Sequence, residues 1–135
     1  MIDRSALTQE AYRNNPGSLV AFVDESYLTP DFAVEAKATP FYLMTAYVIP
    51  VAELQHIRED IVELAGRRFW HSTQAHQTQP GREKLKEFAT YVGDGDEPMI
   101  VSVQYGIGAK KSGTHEAREA CFARLLQALS SGEFF

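Results

Sequence analysis

Cysteine is nearly absent from this chain. Cys121 stands alone among 135 residues, so no internal disulfide can form, which suits a reducing compartment. Long apolar runs are missing as well. No stretch approaches the roughly 18–20 apolar residues that a spanning helix needs, and "MIDRSALTQE" lacks the apolar core of a signal peptide. These absences predict a cytoplasmic protein with no membrane partner. There is no Gly-x-x-x-x-Gly-Lys-Ser/Thr loop, no Gly-x-Gly-x-x-Gly, no Gly-x-Ser-x-Gly and no paired Cys-x-x-Cys. "YGIGAKKSGT" holds glycines and lysines, but at a spacing that fits no phosphate loop, and reads as a flexible connection. His71 and His76 fail as a zinc pair for want of a nearby cysteine or a third ligand. An excess of base is also lacking: the net charge of -5 argues against a whole-surface nucleic-acid binder.

What is present describes an ordinary globular chain, 44% hydrophobic and 23% charged. Its length suits a single domain over residues 1–135. Bases gather locally at Arg67, Arg68, Arg82, Lys84 and Lys86, with His71 and His76 in the same segment. Such a cluster either guides a phosphate backbone or is a pair of solvated helix faces.

Two apolar runs predict strands. Leu19–Val23 has no polar alternation and reads as a central strand buried on both faces. Phe41–Ile49, "FYLMTAYVI", is equally apolar and rich in aromatics. Phe32–Val34 suggests a short edge strand between them. Before the first run, residues up to Pro16 suggest a short helix ending at "NNPG". Pro50 is placed to open a long helix, along which Val51, Leu54, Ile57, Ile61 and Leu64 form one apolar stripe up to Gly66. A loop, "WHSTQAHQTQPG", leads to a second helix over about 81–92. After the turn "GDGDEP", the segment "MIVSVQYGI" reads as a third strand. A last helix runs from Thr114, as N-cap, to about Ser130, with Ala117, Cys121, Leu125 and Leu129 as its stripe. Cys121 is thereby a core hydrophobe, not a nucleophile.

This order indicates a mixed α/β layer fold. A crossover helix of this kind delivers another buried strand, so Phe134 and Phe135 read as a strand cut short and the domain as partial. The open sheet edge that results predicts self-association.

The chemistry gathers at "VDESY". Asp24 and Glu25 follow a buried strand, the position from which a sheet presents ligands to a crevice. Carboxylates there suit Mg²⁺ or a similar hard cation, as in metal-assisted phosphodiester cleavage. Being adjacent, the two point to opposite faces of an extended chain. Asp24 is therefore the expected direct ligand, with Glu25 behind it or turned inward. The bland alternative is a turn capped by Asp24 or Ser26.

"VAFVDESY", then a long loop and "FYLMTAYVI", resembles the opening of a ribonuclease-H-like family, the domain of unknown function 3800. "RFWHSTQAHQTQPGREKLKEF" is similar to that family's second landmark, a histidine after the first long helix and before an Arg-containing one. The resemblance spans about residues 18–130 in element order, and only these two motifs are specific. It implies a ribonuclease-H-like mixed sheet, incomplete at the C-terminus, in a protein of bacterial or phage type. It implies that Asp24 and Glu25 bind Mg²⁺ or Mn²⁺ and that His71 stands beside them in catalysis. Ser26, Arg67, Arg68 and Arg82 are then candidate contacts to a nucleic-acid substrate. Phe69 and Trp70 stand where the family often has an acidic residue. The competing readings are a non-catalytic binding or interaction protein on the same fold, and, remotely, a hydrolase with Ser26 as nucleophile and His71 as its base.

Overall fold

The computed structural model describes residues 4–132. Their contacts divide the chain into two compact units, one of Met1–Val20 with Ile49–Glu97 and one of Ala21–Val48 with Pro98–Phe135. In chain order the elements are α1 (Arg4–Asn14), β1 (Leu19–Leu28), α2 (Pro30–Ala36), β2 (Phe41–Pro50), a 3₁₀ turn (Val51–Glu53), α3 (Leu54–Ala65), α4 (Ser72–Ala75), α5 (Gln79–Asp94), β3 (Met99–Tyr105) and α6 (Gly113–Ser131). The class is mixed α/β. Among the described residues no helix is long and apolar enough to cross a membrane. Phe134 and Phe135, read as the start of a further strand, lie outside the described residues.

The second unit is built on three antiparallel strands in the order β1-β2-β3. β2 pairs with β3 so that Tyr42 meets Gln104, Met44 meets Ser102 and Ala46 meets Ile100. The period of two in β2 is plain in its burial: Tyr42, Met44, Ala46 and Val48 are buried, while the residues between them up to Tyr47 are half-buried. Ala117, Cys121 and Leu125 of α6 cover part of that buried face, joined by Ile107. Their spacing of four residues keeps them on one side of the helix. Arg124 fixes the seam. Its guanidinium donates to Ser102 Oγ at 3.2 Å, to the Val103 carbonyl at 3.1 Å and to Gln104 Oε1 at 3.2 Å. α6 starts tightly against the preceding loop: a Cβ on Gly113 would stand 2.2 Å from the Gly108 carbonyl oxygen.

In the first unit, Leu54 and Ile57 are the buried residues of α3, and Gly66 ends that helix at φ 69°. Tyr91 of α5 donates to Asp60 of α3 at 2.8 Å. Thr78 caps α5 by accepting from the Gly81 backbone at 3.1 Å.

Several expectations are corrected. Leu19–Val23 is not central: β1 is the outer strand of the order, and only Val20 and Leu28 within it are as much as half-buried. β2 takes the centre, because it alone has a partner on each side. β1 also runs on through Asp24, Glu25 and Ser26 to Leu28, so "DES" is neither a strand end nor a turn. Pairing with β2 overrides the weak strand preference of those residues. The segment around Phe32–Val34 is helical, with Pro30 at its first turn and Asp31 beside it. Pro50 closes β2, and the helix it was expected to open begins at Leu54. Ser112, not Thr114, is the N-cap of α6, without a side-chain cap bond. The described strands are antiparallel throughout, where a mixed sheet was expected.

Leu125 is 1% exposed, whereas Leu126 beside it is 49% exposed. Leu125→Ala is therefore expected to lower stability by about 2–5 kcal/mol, and Leu126→Ala to change it by no more than about 0.5 kcal/mol. Urea denaturation of the two variants measures the contrast.

Candidate functional site

Asp24 and Glu25 line a pocket of about 490 Å³ between β1 and the start of α6. Alternation along β1 puts Val23, Glu25 and Tyr27 on one face and Asp24 and Ser26 on the other. The first face is the one shared with Tyr42 and Met44, since Tyr27 stacks on Tyr42 with ring centroids 5.4 Å apart. Glu25 is thus the carboxylate turned inward. Its Oε2 accepts the hydroxyl hydrogen of Tyr42 and pairs at 3.4 Å with Nε of Arg118. Asp24 is exposed, and its Oδ1 accepts the backbone N–H of Glu25 at 2.8 Å.

The rest of the lining comes from α6. His115, Arg118, Glu119 and Phe122 recur at three- and four-residue steps and so share one side of the helix. His115 pairs with Glu119 at 3.1 Å, both largely exposed. Tyr42 forms the deepest part of this network at 1% exposure. Burial pushes its phenol up to about 12, and the hydrogen bond to Glu25 and that residue's negative charge push the same way.

Of the remaining sequence candidates, all but Ser26 belong to the first unit. His71 is exposed at the N-cap of α4, and its ring meets Phe69 edge-on at 4.7 Å. Arg82 is committed to the local chain: Nη1 donates to the His76 carbonyl at 3.0 Å and Nη2 to Gln79 Oε1 at 2.8 Å. Arg67 and Arg68 are exposed just beyond the end of α3. Trp70 packs on Phe88 with centroids 4.6 Å apart, as an anchor would. Ser26 is exposed on β1.

The residues that sequence reasoning missed are His115, Arg118, Glu119 and Tyr42. Their signal was available in part, as polar residues at 115, 118 and 119 on a helix otherwise read for its apolar side. Nothing local linked them to β1, some ninety positions earlier. Comparison with protein-family models, with curated proteins and with solved structures finds no match.

Folding raises the Tyr42 pKa from 10.0 to about 12. The stability linked to it is complete below pH 10 and is lost as pH rises towards 12. Ultraviolet titration should show a phenol ionising near 12 that Tyr42→Phe lacks. The wild type should also lose stability over that window more steeply than the variant.

Proposed function

We propose that this chain is a ribonuclease-H-like, metal-dependent phosphodiester hydrolase with its site at the β1–α6 pocket. The observation that carries this reading is that Asp24, Glu25 and Glu119 line one pocket with Arg118 and His115. Three carboxylates against one guanidinium make the pocket negative. It therefore attracts a divalent cation and repels a phosphate that arrives without one. Carboxylate oxygens are the donors that Mg²⁺ and Mn²⁺ take. Tyr42 and Arg118 both use Oε2 of Glu25, so Oε1 remains for a ligand, as does Oδ2 of Asp24. Successive strand positions diverge, so Asp24 and Glu25 present their carboxylates from different faces of β1.

Asp24 and Glu25 are the residues that would hold such an ion, which would supply Lewis-acid polarisation to a phosphodiester. The chain's own groups do the remainder. Tyr42 and Arg118 orient Glu25. Arg118 supplies a fixed positive charge for the substrate's phosphate. His115 is the imidazole in the pocket, able to donate or accept a hydrogen bond to the reacting groups. A nucleic acid is the substrate that the family resemblance favours.

A second reading, a non-catalytic binding protein, draws on two observations. Among the described residues no three His, Cys, Asp or Glu side chains are grouped to hold a metal ion. Glu25 also already has a cation in Arg118.

Titration calorimetry with Mn²⁺, paired with cleavage assays on single-stranded and duplex oligonucleotides, separates the two. The hydrolase predicts saturable Mn²⁺ binding and Mn²⁺-dependent cleavage, both abolished in Asp24→Asn while its circular dichroism stays that of the wild type. Oligonucleotide binding that is indifferent to Mn²⁺ and to Asp24→Asn would establish the binding protein instead.

A further inference from the structure

The two faces of the three-stranded sheet are unequally covered. α6 lies over the inner face, where Tyr42, Met44 and Ala46 are buried. The register of β2 with β3 puts the alternate residues on the other side, Leu43 opposite Val103 and Thr45 opposite Val101, with Met99 and Tyr105 at the two ends of β3. These positions meet solvent. Tyr105 is 66% exposed, Met99 and Val101 are each 49% exposed, and Leu43, Thr45 and Val103 are half-buried. All of them belong to the second unit.

The face is also uncharged. No odd-numbered residue from 41 to 47 or from 99 to 105 is acidic or basic, in a chain that carries 18 acids and 13 bases. An apolar surface this continuous is unusual on a protein that stays single, and it offers a charged partner nothing to pair with. A net charge of -5 makes copies of the chain repel each other in general. This face, however, meets its own image without bringing like charges together. Covering what remains exposed on it would bury roughly 500–600 Å² from each copy, about 1,000–1,200 Å² in all, which is the lower end for a specific pair.

We infer that the outer face of the sheet packs against the same face of a second copy. The result is a twofold dimer in which two three-stranded sheets stack about 10 Å apart, with α6 on the outside of each. The contact uses the face of the sheet and not its open edge, and it is independent of the chemistry in the β1–α6 pocket. An interface of that size without charge pairs corresponds to a dissociation constant in the micromolar range.

Sedimentation velocity over about 1–300 µM protein brackets that range and should show a monomer–dimer equilibrium in the wild type. Val101 lies near the middle of the face, so Val101→Lys sets two like charges close to the axis. It should weaken dimerisation at least about 100-fold. In the single chain residue 101 already reaches solvent, so the variant should keep the circular dichroism and melt of the wild-type monomer. Leu126→Lys makes the same change at equal exposure on α6, at the other side of the sheet. It should leave the dissociation constant within about twofold. A wild type that is monomeric at the highest concentration overturns the inference. A dimer that survives Val101→Lys overturns it too, since pairing through the β1 edge would behave in that way. So does a monomer that Val101→Lys destabilises, because the face would then be covered within the chain.

Discussion

The packing of α6 on the inner face of β2 is the contact on which the second unit depends. Tyr42, Cys121 and Leu125 are each no more than 1% exposed, and the Cys121 thiol lies 3.6 Å from the Tyr42 carbonyl oxygen. Small residues at Ala46, Ala117 and Cys121 let helix and strand approach closely, and Met44 and Leu125 fill the space around them. Without that seam β2 would lose its cover, and Arg118 would lose its place opposite Glu25. Core and pocket are consequences of one helix lying in one register. The buried side of α6 holds it, and the adjoining side carries the polar groups.

That division explains the character of Tyr42. Its ring belongs to the core and its hydroxyl to the site, so one residue ties the stability of the sheet to the placement of Glu25. A buried hydroxyl needs a partner, and a carboxylate on the neighbouring strand provides it. The geometry at Glu25 is therefore set by packing and not by a flexible loop. Sites held in this way are better preorganised than those carried on connecting segments.

The parts of the fold legible in the sequence were those written in periodicity. The apolar run of β2 and the stripes of α3 and α6 depend only on which residues must be buried together, whereas the alternate burial from Tyr42 to Val48 came from the structure. What was not legible came from pairing or from competition between local signals. Asp24, Glu25 and Ser26 have poor strand preferences, and only hydrogen bonding to β2 draws them into β1. Phe32 and Val34 suggested a strand, but Pro30 and Asp31 start a helix there, and a seven-residue segment is too short for periodicity to decide. The outer position of β1 was hidden because an apolar run reports hydrophobicity without naming what lies over it. At the site, the acidic pair was visible as a motif. Its partners on α6 were not, because a contact between strand and helix across most of the chain leaves no local trace.

Cys121 has a consequence of another kind. It is the only thiol in the chain, has no accessible surface, and sits in the middle of the seam between α6 and β2. A thiol reagent can reach it only when the helix lifts from the strand, so the protein carries a built-in chemical clock for that opening. With a fast reagent, the rate of modification equals the rate of opening; with a slow one, it reports the opening equilibrium. The motion that would disassemble the pocket can thus be timed without introducing a label.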